Sequence, residues 1–150
     1  MALSFALEEA AVRTALRADI LAAWSPARIY DDPAEIEQAP GTLPEAYLYL
    51  LGTEDTDEVG GMREAGITLL YEIALRAPRP ASGTIHAAKI AKAEALRARL
   101  VSAATYGGWN RQWLGETYIS SDPEQREAEA TQPWYTLAVR FAVSITVASF

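Results

Sequence analysis

Trp134 to Val147 reads WYTLAVRFAVSITV. Taken in steps of two, Tyr135, Leu137, Val139, Phe141, Val143, Ile145 and Val147 fall on one side, and Trp134, Thr136, Ala138, Arg140, Ala142, Ser144 and Thr146 on the other. Side chains alternate across a β-strand, so the run predicts one strand with an apolar face and a small or polar face. The 100° steps of a helix would scatter the same apolar residues around the axis. At about 3.4 Å per residue the strand spans about 45 Å, more than twice the usual length. A strand of that length is expected to outrun its partners in a small domain, with the overhang covered by something else.

The other elements follow from this one. Ser4 to Ala23 predicts a helix, with Ser4 as its cap, Glu8 and Glu9 near the positive end of its dipole, and a stripe of Val12, Leu16, Ile20 and Ala23 or Trp24. Ser25-Pro26 stops it. Arg28 to Tyr30 is a short strand, and the Pro- and Gly-containing stretch after Asp31 is a long irregular loop. Ala46 to Leu51 and Gly66 to Arg76 read as strands around Gly52 to Ala65, an acidic stretch expected to be an extended hairpin loop. Thr84 to Ala104 is a second helix, with Ser82 or Thr84 as cap, and Gln112 to Ser120 a strand interrupted at Gly115. The order predicts an α+β fold: a mostly antiparallel β-sheet of four or five strands with two α-helices packed on its apolar face.

A chain of 150 residues that is 50% apolar is expected to form a single domain over residues 1–150, with a real core. It has no cysteine, which removes disulfide scaffolds, thiol catalysis and cysteine-bound zinc. The start, MALSFALEEAAVR, lacks the basic and uninterrupted apolar regions of a signal peptide, and no stretch approaches the ~20 apolar residues of a membrane helix. The expectation is a soluble intracellular protein without a membrane partner. A net charge of -7 argues against a general duplex-binding surface. Charge is also segregated. Arg76, Arg79, Lys89, Lys92, Arg97 and Arg99 share a segment whose single acid is Glu94, while acids gather at Asp31–Glu37, Glu54–Glu58 and Asp122–Glu129. These are either solvated faces or patches that meet between identical copies.

Residues fit for catalysis are few. His86 is the single histidine and sits near a helix start, and no serine lies in a G-x-S-x-G elbow. Glu54, Asp55, Asp57 and Glu58 resemble a cation loop in composition. Counted from Asp55, however, the fifth position is Val59 and the twelfth is Gly66, so the bidentate glutamate is missing. Ser82-Gly83-Thr84 belongs to no phosphate-binding motif. Glu72, Glu94 and Glu116 are scattered, and Trp109 and Trp113 are better read as packing than as a base-stacking platform. The expectation is a protein without catalytic residues, metal or cofactor.

The order and lengths of these elements resemble the tail terminator (tail completion) proteins of long-tailed bacteriophages across nearly the whole chain. That resemblance implies a structural virion protein, not an enzyme, assembled in the host cytoplasm and located in the tail or neck. It would cap the tail tube as a hexameric ring, end tube polymerisation and join the tail to a neck or head-completion protein, with DNA only as passing cargo. Residue chemistry suggests how copies would meet. Thr136, Ala138, Arg140, Ala142 and Ser144 on the outward face of the last strand would pack on a neighbour. Glu54, Asp55, Asp57 and Glu58 would dock on the tube, and Lys89, Lys92, Arg97 and Arg99 would face a neighbour's acids or the channel where DNA passes, the neighbour being favoured because a strongly basic lumen would retard the DNA. The alternatives are another neck or head-completion protein, a small ligand-binding domain or enzyme using the sheet face, and a nucleic-acid adaptor using the basic helix.

Overall fold

A computed structural model of the chain describes residues 4–31, 41–55, 64–102, 111–119 and 131–148. The elements run α1 (Phe5–Trp24), β1 (Arg28–Tyr30), β2 (Glu45–Asp55), β3 (Glu64–Pro78), α2 (Ile85–Ser102), β4 (Arg111–Ile119) and β5 (Trp134–Ala148). Helix α1 begins where the Ser4 hydroxyl accepts from the Leu7 amide at 3.4 Å. It ends where Ser25, in the left-handed region at φ 47°, donates its amide to the Leu21 carbonyl. Thr84 caps α2 by accepting from the Ala87 amide at 3.1 Å.

The sheet has five strands in the order β1-β2-β3-β5-β4. β1 runs parallel to β2 and every other pair is antiparallel, so the sheet is mixed. The expected α+β class with helices on one face holds. The last strand does not outrun its main partner. β3 is also 15 residues long and pairs from Glu64↔Ala148 to Pro78↔Trp134. An overhang exists only on the other side, where β4 covers Ala138 to Ile145.

The acidic stretch after Leu51 also differs from expectation. Gly52 to Asp55 continue β2 and pair with Leu70 to Ile67, so the ladder takes up a part read as loop. The register shifts between Leu50 and Gly52, and this bulge lets pairing continue past the residues of poor strand propensity. Residues 56–63, which include Asp57 and Glu58, lie outside the described residues.

One face of the sheet packs against both helices. Tyr135, Leu137, Val139, Phe141, Val143, Ile145 and Val147 are all buried, as the alternation predicts. They meet Leu69, Tyr71, Ile73 and Leu75 of β3, Val12, Leu16 and Ile20 of α1, and Leu96 and Leu100 of α2. Trp24 locks the helix layer, donating its Nε1–H to the Lys92 carbonyl at 2.8 Å. Phe141→Ala should therefore cost about 3–5 kcal/mol by cavity formation, whereas its exposed neighbour Arg140→Ala should stay within about 0.5 kcal/mol. Urea unfolding of both variants checks this alternation.

Candidate interaction surfaces

The face of the sheet opposite the helices has no covering element among the described residues. Its rows follow from the register. Glu45, Arg76 and Thr136 lie across one level, then Tyr47, Ala74 and Ala138, then Tyr49, Glu72 and Arg140. The next level is Gly52, Leu70, Ala142 and Gly115. Both flanking strands shift register at that level, β2 before Gly52 and β4 before Gly115, so two bulges straddle the regular pair β3 and β5. Leu51, Gly52, Leu70, Thr68 and Ala142 line an open hollow there, with Glu54 at its edge.

This face is apolar and polar in patches. Tyr49, Leu51 and Leu70 are large side chains left exposed. The Tyr47 hydroxyl donates to Glu72 Oε1 at 2.6 Å, and burial first, then Glu72, holds the Tyr47 phenol well above its ordinary range. At one end Glu45, only 3% exposed, pairs with Arg76 at 3.4 Å and accepts from the Tyr30 hydroxyl at 3.4 Å. The Arg76 guanidinium also sits 5.6 Å from the Trp134 ring. Arg140 is exposed at the centre of the face, and among the described residues it makes no ion pair.

The helix layer is unusual in where its charges lie. Glu8 and Asp19 of α1 are buried, at 1% and 7% exposure. The solvent side carries Leu7, Ala10, Thr14, Ala18 and Leu21, all exposed and none charged. Arg13 ties this helix to the sheet, bonding Glu9 Oε1, Asp31 Oδ1 and the Leu48 carbonyl, while Arg17 holds Asp31 Oδ1 and the Ile29 carbonyl. The Leu48 contact caps a part of β2 that three-residue β1 is too short to reach.

The structure divides the residues singled out in the sequence between these two surfaces. Glu54 and Asp55 are exposed at the far end of β2, on the sheet. Thr136, Ala138, Ala142 and Ser144 are half-buried on the outward face with Arg140. Lys89 is 6% exposed, within the helix layer, and Lys92 is half-buried. Arg97 and Arg99 are exposed, and Arg99 reaches Asp19 Oδ1 at 3.5 Å. His86 is exposed on α2. Sequence reasoning missed the patch of Tyr49, Leu51 and Leu70. Its signal was Leu70, a large apolar residue out of phase with Ile67, Leu69, Tyr71 and Ile73. Also missed was the uncharged solvent side of α1: the stripe of Val12, Leu16 and Ile20 places Arg13, Arg17 and Asp19 away from the core, whereas the structure buries Asp19 and Glu8.

No group of three or more His, Cys, Asp or Glu is placed to hold a metal among the described residues, and no described helix is long and apolar enough to cross a membrane. Asp19 gives a test of the helix layer. Burial raises its carboxyl above the ordinary 3.8, with Arg99 opposing. A raised folded-state value means stability fully present below about pH 3.8 and lost as pH climbs through the folded value. Asp19→Asn should therefore match the parent in acid and exceed it near pH 7, which urea midpoints at the two pH values will show.

No protein-family model matches the chain, and no curated protein matches it. Among solved structures, one similar chain comes from a native gene transfer agent virion, with 19% identity over 93% of each chain and a TM-score of 0.47. Another is the sheath/tube terminator of an extracellular contractile injection system, PVC, in its extended state, at 13% identity and a TM-score of 0.56. The match takes in 93% of this chain, which spans 56% of that terminator's chain. The two-layer fold described above is thus one that this chain shares, over nearly all its length, with a sheath/tube terminator.

Proposed function

We propose that this protein is a structural component of a phage-type tail, a terminator that closes the tail tube as a ring of identical copies. The observation that carries the reading is the fold shared over 93% of the chain with a sheath/tube terminator. The element order read from the sequence supports the same family resemblance.

The two surfaces supply a physical route. A ring needs head-to-tail contacts between different patches of one chain. Among the described residues this chain offers an uncovered sheet face on one side and, along α1, an uncharged helix ridge on the other. In this reading residues 1–150 act as one domain. The ring holds six copies, ends tube growth, and presents its far side to a neck or head-completion protein while DNA passes through. The acidic end of β2, with Glu54 and Asp55, is the part offered to the tube. The protein acts by assembly, without a catalytic group.

Electron microscopy and native mass measurement of the purified protein test this, alone and with tubes grown from the tube protein of the same genome. The expected result is a ring of six 16.3 kDa chains, 6 × 16.3 or about 98 kDa, seated on one tube end and halting elongation. Tubes that keep growing with bare ends in excess protein would overturn the proposal.

A further inference from the structure

A ring fixes neither which surfaces meet nor in what register. Resting on the ring reading, we infer that the helix layer of one copy packs on the outward sheet face of the next, with Ile90 seated in the Gly52 hollow and Glu94 paired with Arg140.

The hollow has a shape that the isolated chain does not require. A Cβ built on Gly52 would meet nothing within 4 Å, and Gly52 is not in the left-handed region, which among the described glycines only Gly83 occupies. Neither backbone conformation nor packing within the chain therefore demands glycine there. What glycine leaves is space beside Leu70 and Ala142, walled by an exposed leucine, Leu51. Among the described side chains of α2, Ile90 is the large apolar one left exposed, at 39%, and its neighbours Ala87 and Ala91 let a flat surface approach closely.

Charge picks the occupant and its direction. Glu94 is exposed one turn beyond Ile90, and among the described residues it makes no ion pair. Arg140 lies one row beyond Ala142 on the sheet and is likewise exposed. Ile90 to Glu94 is about 6 Å along a helix, and Ala142 to Arg140 is about 7 Å along a strand. One placement therefore fills the hollow and pairs the charges together. A second copy of this chain supplies both groups at that spacing.

The size is also adequate. Two helices side by side cover about 30 Å by 20 Å, of the order of the ~800 Å² each partner gives to a standard interface. The solvent side of α1 brings Leu7 and Leu21 to the same layer with no charge to desolvate. A sheet covered by helices on both faces is a stable layering, and here the second helix layer comes from the neighbour.

The chain has no cysteine, so engineered ones report cleanly. Leu70→Cys with Ile90→Cys in one chain should give, on mild oxidation, a ladder of covalent multimers ending at the closed ring, while each single variant stays largely monomeric on denaturing gels. Arg140→Glu should weaken self-association about tenfold or more in sedimentation, and adding Glu94→Arg should restore it. Efficient dimers from Leu70→Cys alone would mean a face-to-face contact and overturn the inference. Rings that persist without cross-links and ignore Arg140→Glu would also overturn it, while leaving the ring reading standing. A parent protein that neither associates nor caps tubes would take both down.

Discussion

The ladder joining Glu64–Pro78 to Trp134–Ala148 decides which side chains in this molecule face inward. It has no bulge along its 15 residues. With a period of two, one regular pair fixes the phase of both strands, and a slip by one residue would turn Phe141 and Tyr71 outward together with every other core residue of the pair. β2 and β4 attach on either side and may depart from regularity without altering that phase. The helices then follow, since Val12, Leu16, Ile20, Leu96 and Leu100 have only this apolar face to cover.

Both helices lie on one side, and among the described residues no element covers the other. The outward face is stabilised by short-range contacts where it can be: Tyr47 with Glu72, Glu45 with Arg76 and Tyr30, and Arg76 over the Trp134 ring. Around Gly52 it is left apolar and open. Helix α1 shows the complementary economy, with Glu8 and Asp19 turned inward and an uncharged ridge turned out. Burying Asp19 and Glu8 is unfavourable unless they are paired, and a charged outer ridge would be the simpler solution for a surface that always faces water.

Much of the fold was legible because it rests on periodicity. The alternation in Trp134–Val147, the caps at Ser4 and Thr84, and the stop at Ser25-Pro26 are local signals, and the structure reproduces them within a residue or two. Pairing is not a local property. Nothing in Gly66 to Arg76 announces that its strand extends to Glu64 and Pro78, because those additions are dictated by the length of β5 opposite. The parallel pairing of β1 with β2 depends on a crossover that three residues of sequence cannot encode. The surface was the least legible part. The basic residues of α2 looked like one patch, yet Lys89 is taken into the helix layer while Arg97 stays out. The hollow depends on Gly52, Leu70 and Ala142, which come together only through the register of three strands.

The central pair also has a kinetic meaning. β2 and β3 follow one another in the chain and can zip locally, but β3 and β5 are separated in the chain by all of α2 and β4. Contacts between such distant segments form late, since the loop must close before any pairing rewards it, and folds dominated by them are slow. Until β5 arrives, β3 lacks its main partner, and Leu69, which faces the core, and Leu70, which faces outward, both border an unpaired strand edge. Inward-facing Leu69 is then sheltered by folding itself, while Leu70 remains on the surface afterwards. In a chain built on this pair the core is closed by its most distant strands, while Leu70 stays at the surface of the finished fold.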